Sequence, residues 1–113
     1  MNKLKKGKTI KKPWGKEIWF AQTDDYMGKI LIINPEGKVS YHYHRQKEET
    51  LYVQRGDVLV EIEGNIQWFH ESQFFHIEPN MRHRFEAGAE RVILCEVSTP
   101  YPEDSVRVKD FYG

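Results

Sequence analysis

Gly37-Lys38-Val39-Ser40-Tyr41-His42-Tyr43-His44-Arg45-Gln46-Lys47-Glu48-Glu49-Thr50-Leu51-Tyr52-Val53-Gln54-Arg55-Gly56 is the stretch whose reading decides the fold. Side chains alternate between faces along a strand, so His42 and His44 share one face while Tyr41 and Tyr43 take the other. After four intervening residues, Glu49, Leu51 and Val53 share a face of a second strand, and the spacing predicts a hairpin joining the two. Two neutral imidazoles and a carboxylate, with positions left open, make a ligand set for a divalent metal such as Zn, Fe, Mn, Ni or Co. A His-x-His pair arises readily by chance in a chain with five histidines. What adds weight is His83, in another strand-like segment entered through a turn. Three histidines and one acid from separated strands meet only where a sheet closes on itself.

Composition bounds the rest. A chain of 113 residues is one domain, able to bury a core without a disulfide. Its single cysteine, Cys95, excludes an internal disulfide and fits a reducing compartment. Apolar runs such as Ile30 to Ile33 fall far short of the roughly 20 residues of a membrane span, and the basic start Met1-Asn2-Lys3-Leu4-Lys5-Lys6 lacks an apolar signal segment. The expectation is a soluble cytoplasmic protein. Net charge is zero, yet seven lysines fall between Lys3 and Lys16 with no acid among them, leaving 10 of the 17 basic groups against all 17 acids. Without interleaved aromatics or a groove-reading helix, this arm reads as a solvated tail or as a strand across its own acidic barrel, and not as a nucleic-acid binder. The chain divides into a basic arm over residues 1–12 and a barrel with a C-terminal tail over 13–113.

From that centre outward, strands alternate with turns. Glu17 to Ala21 and Met27 to Ile33 precede the histidines, the second run stopped by Asn34-Pro35-Glu36-Gly37. Val58 to Glu63 alternates so that Val58, Val60 and Ile62 point inward, and Gly64-Asn65 predicts a two-residue hairpin turn into Ile66 to Phe69. Phe74 to Ile77, the segment at His83 and Phe85, and Arg91 to Ser98 complete about eight short strands, with Val92, Leu94 and Glu96 on one face of the last. No segment sustains a helical period. The pattern predicts an all-β domain, a small antiparallel barrel or jelly roll.

These residues resemble the cupins. Their first motif places two histidines, a glutamate and a glycine as His42, His44, Glu49 and Gly56 stand here, with six residues between Glu49 and Gly56; the second ends on a histidine at the place of His83. Glu36 stands where the first motif has its leading glycine, Glu78 where the second has proline, and Asn80 where it has glycine. Asn80 is a mild replacement because Asn tolerates the left-handed conformation. Pro13-Trp14-Gly15, the tract Gly28 to Ile33 and the ending from Glu96 to Gly113 look like the mannose-6-phosphate isomerase domain of bifunctional mannose-phosphate guanylyltransferases, although two extra residues separate His44 from Glu49 here.

The resemblance implies a single-domain cupin jelly-roll barrel holding a divalent metal on His42, His44, Glu49 and His83, with open positions for two oxygens of a sugar or sugar phosphate. It implies isomerisation or epimerisation, which needs a base near the metal. Glu96 is the candidate, sharing the barrel face with Leu94 and expected to have a pKa raised by burial; its plainer reading is a rim carboxylate paired to lysine. Lys29 is a candidate to polarise or bind a phosphate, and Arg107 to clamp one through its planar fork, with exposed strand lysine and surface ion pair as the plainer readings. The same ligands suit an Fe-dependent oxygenase or a non-catalytic sugar-binding module. A homodimer is expected, with the lysine-rich arm and Trp14 near the interface.

Overall fold

The computed structural model describes residues 7–112, so Lys3, Lys5 and Lys6 of the basic arm lie outside the described residues. Strands β1 (Lys8–Lys12), β2 (Gly15–Gln22), β3 (Met27–Ile33), β4 (Tyr41–His44), β5 (Glu49–Arg55), β6 (Val58–Ile62), β7 (Asn65–Phe69), β8 (Phe74–Ile77), β9 (His83–Ala87), β10 (Val92–Ser98) and β11 (Ser105–Lys109) follow in order. They form a six-stranded antiparallel sheet, β1-β2-β3-β10-β5-β8, and a five-stranded one, β11-β4-β9-β6-β7. The fold is the expected all-β jelly roll. No helix among the described residues is long and apolar enough to cross a membrane.

Period-two patterning carries the packing. Leu31, Ile33, Leu51, Val53, Val58, Val60, Phe75, Phe85, Val92 and Leu94 turn inward from both sheets and make one apolar core. Trp14 is buried in this core. Trp68 and Phe74 face solvent, because their parity on β7 and β8 is opposite to that of the inward residues Phe69 and Phe75. Part of the basic arm is structural: β1 pairs with β2 from Lys8↔Trp19 to Lys12↔Gly15 and forms an edge of the larger sheet.

Two local expectations are corrected. The histidine strand β4 does not form a hairpin with β5; it pairs with β9 and β11, while β5 pairs with β10 and β8. The connection crosses from one sheet to the other, so His42 and His44 look across the interior toward Glu49. The β6–β7 turn is Glu63-Gly64, one residue earlier than predicted, since Ile62 pairs with Asn65 and φ is +49° and +82° at the two turn residues. That double left-handed turn matches the twist of the flanking strands. At the two places where glycines of the family motifs are replaced, Glu36 and Asn80 hold φ of +60° and +68°, so the backbone keeps the conformation that glycine would supply. Gly56 has no such latitude: its φ is +85°, and a Cβ there would lie 2.6 Å from the Arg91 carbonyl oxygen.

Candidate metal centre

The inward faces of β4 and β9 bring three imidazoles together. His42 pairs directly with His83 across the two strands, and His44 follows one inward step along β4. The ring centroids of His42 lie 4.9 Å from His44 and 4.4 Å from His83, and donor atoms of all three rings fall within 4.8 Å of one another. Each ring is oriented from behind. His42 Nδ1 is 2.8 Å from the Ser40 carbonyl oxygen, His83 Nδ1 is 2.8 Å from the Met81 carbonyl oxygen, and His44 Nδ1 is 3.0 Å from Asp104 Oδ1. A carbonyl can only accept, so Nδ1–H donates, and each Nε2 keeps its lone pair for the interior.

Burial, reinforced by neighbouring positive groups, lowers His42 to about 3 and His44 and His83 to about 4. All three rings are therefore neutral near pH 7, the form in which imidazole binds metal. Glu49, 2 % exposed, faces them: its Oε2 is 3.6 Å from His44 Nε2 and its Oε1 is 3.6 Å from His83 Nε2. With the rings neutral and their protons on Nδ1, each Nε2 presents a lone pair toward Glu49 with no ring proton between, and His83 Nε2 is buried without a hydrogen-bond partner. Electron-rich atoms converging in this way suit a divalent cation.

Behind Glu49 lies a group that strand parity could not reveal. Lys47, in the β4–β5 connection and 3 % exposed, places Nζ 3.0 Å from Glu49 Oε2 and 2.8 Å from Glu96 Oε2. Both are close ion contacts set off hydrogen-bonding angles, since neither oxygen has a well-formed hydrogen bond. Glu96, 4 % exposed, is inside the barrel as its parity predicted. The expected rise in its pKa is overturned: burial alone would raise it, but the Lys47 and Lys29 ammoniums outweigh burial and hold it below the usual carboxylate range. Glu49 is the acid whose pKa rises, to about 7, through burial and the adjacent Glu96 charge. Asp104, also missed, accepts from the backbone N–H of Gln46 (2.7 Å) and of Lys47 (2.8 Å) as well as facing His44. One carboxylate thus fixes both a histidine and the loop that carries Lys47.

Outside His42, a cavity of about 240 Å³ is walled by Lys12, Glu17, Trp19, Lys29, His42 and Arg107, among others. Lys29 is buried, not an exposed strand lysine; its Nζ is 3.6 Å from Glu17 Oε1 and 4.6 Å from the centre of the Trp19 ring. Arg107, in register with His42, is exposed and pairs with Asp110 at 3.1 Å. Glu96 is not on the cavity wall. A larger hollow of about 580 Å³ near Asp57, Trp68 and His70 opens widely to solvent and holds none of the clustered histidines. His70 and His76 are both exposed and stand apart from the three clustered histidines.

The sequence model of the cupin domain matches residues 29–97, most of the barrel, and includes His42, His44, Glu49, His83 and Glu96. The chain belongs to the cupin domain family. Among solved structures, KdgF from Halomonas sp. superposes on this cupin with a TM-score of 0.79 at 19% identity, over 86% of this chain and 89% of that one. Oxalate decarboxylase from Bacillus subtilis gives 0.81 at 14% identity, over 90% of this chain and 30% of that one. A cupin-superfamily sugar phosphate isomerase from Silicibacter pomeroyi gives 0.70 at 14% identity, over 77% and 60%. At such identities the likeness is one of fold. A curated relative, polyketide synthase CurC from Streptomyces cyaneus, is 36% identical over 68 residues, 60% of this cupin and 44% of that protein.

Proposed function

We propose that this cupin holds a divalent metal on His42, His44 and His83, with Glu49 closing the set, and isomerises or epimerises a small anionic carbohydrate, a sugar phosphate. The observation that carries the substrate class is the wall outside His42. It offers the cations Lys12, Lys29 and Arg107 beside the carboxylates Glu17 and Asp110, with the Trp14, Trp19 and Tyr112 rings as apolar surface. Such a lining suits a charged, hydroxyl-rich molecule better than the aromatic and aliphatic lining expected for an oxygenase of apolar substrates. The volume lies below the roughly 300–1,000 Å³ of sites for drug-sized ligands, which favours one small molecule. The resemblance to the mannose-6-phosphate isomerase domain supports the same class.

A divalent ion held by these ligands would polarise a carbonyl or hydroxyl oxygen of the sugar. Arg107, released from Asp110, has the planar fork to bind a phosphate. Lys29 is positioned to donate to a sugar oxygen, and Glu17 beside it is an acid on the cavity wall, as is Asp110 beside Arg107. Glu96 remains the interior candidate for accepting a proton. The proposal includes a homodimer, tested by sedimentation velocity.

The test is a screen of sugar phosphates in D2O with protein reconstituted with Zn, Fe, Mn, Ni or Co, followed by NMR. Metal-dependent deuterium incorporation that is lost in His42→Ala supports the reading, and Glu17→Gln against Glu96→Gln identifies the acid that carries the proton. Metal-dependent binding without exchange would make the protein a binding module, and oxygen uptake by the iron form would make it an oxygenase.

A further inference from the structure

Lys47 belongs to the interior charge cluster, yet the proposed metal centre does not use it. Its ammonium is buried, and the backbone on which it stands is held at Gln46 and Lys47 by Asp104. Two buried carboxylates hold it, at 3.0 Å on Glu49 and 2.8 Å on Glu96. Glu49 therefore stands between two claimants. On one side are the Nε2 atoms of His44 and His83, each 3.6 Å from one of its oxygens; on the other is the ammonium.

We propose that Lys47 is a tethered internal cation that competes with the bound divalent metal for Glu49 and so sets how tightly this cupin holds its ion. The inference rests on the metal reading above. Any dication that takes Glu49 as a ligand shares that carboxylate with a fixed positive charge, and the two cations repel through an interior that screens poorly. Glu96 gives the ammonium a second anchor, so Lys47 stays in place when Glu49 turns toward the metal. The consequence is a fourth ligand that is only partly committed, and a metal position from which Glu49 is readily withdrawn.

The test uses Co(II) as probe on the full chain at pH 7.5, with affinity measured by competition against a chromophoric chelator and coordination followed by visible absorption. Lys47→Met binds Co(II) at least about tenfold tighter than wild type, about 1.4 kcal/mol, with a shift of the visible bands as Glu49 becomes a full ligand. Lys47→Arg, which keeps the charge, stays near wild type. Lys47→Met/Glu49→Gln loses the gain, which a purely structural role for Lys47 would not require. Should Lys47→Met not fold, Glu96→Gln is compared with Glu96→Gln/Lys47→Met, where the same tightening is expected. Equal or weaker binding in a folded variant lacking Lys47 overturns the competition while leaving the metal centre standing. Absence of Co(II) binding in wild type and variants alike overturns both.

Discussion

The two ends of the barrel interior are built by one rule and filled with opposite chemistry. Inward positions run Lys29, Leu31, Ile33 along β3, Glu49, Leu51, Val53 along β5, His83, Phe85, Ala87 along β9, and Glu96, Leu94, Val92 in reverse along β10. Each of these runs passes from an ionisable group into apolar packing, and on β3 and β10 the strand extends one inward step beyond that group, to Met27 and Ser98. The apolar end gains free energy by leaving water, at about 25 cal/mol per Å² of apolar surface. The polar end gains only if its charges find partners, since an unpaired buried charge is strongly unfavourable. The difference separates stability from ligand chemistry within a single core.

Substitutions at the two ends should therefore fail in different assays. Phe85→Ala, in the apolar half, is expected to lose about 4 kcal/mol of unfolding free energy in urea titrations while a folded sample keeps its metal affinity. A matching loss of affinity would show that the halves are not separable. His42→Ala, in the polar half, is expected to weaken divalent-metal binding at least about 100-fold by calorimetric titration, about 2.7 kcal/mol. Excess metal should raise the melting temperature of wild type and not of this variant. Asp104→Ala should weaken binding about tenfold, because His44 loses the partner that orients its ring; unchanged affinity would confine Asp104 to holding the loop. Smallest is Glu36→Gly, remote from both the histidines and Lys47. Relief of the left-handed glutamate, less the added freedom of the unfolded chain, should raise stability by about 0.5 kcal/mol with no change in metal binding.

The half of the interior that obeys strand parity was legible in the sequence, polar residues included. His42, His44, Glu49, His83 and Glu96 all point inward because alternation says so, and the fold class follows from the same alternation. Partnership was less legible. Nearness along the chain suggested that β4 and β5 pair, whereas the chain changes sheets between them. Lys47 escaped notice because a loop has no parity to read, and its burial depends on Asp104, which arrives from beyond β10. The sign of the Glu96 shift was lost for the same reason: burial can be inferred from a pattern, but the ammonium that outweighs it cannot. Glu17 was legible as a strand residue and became a cavity residue only through its contacts with Lys29 and Trp19.

Asp104 also has a consequence for how the molecule comes into being. It lies 60 residues downstream of the histidine it steadies. A chain emerging from the ribosome can present all three imidazoles and still lack the acid that aims one of them and pins the neighbouring bend. Competence for an ion would then wait until the segment that carries Asp104 has been made and has docked against that bend.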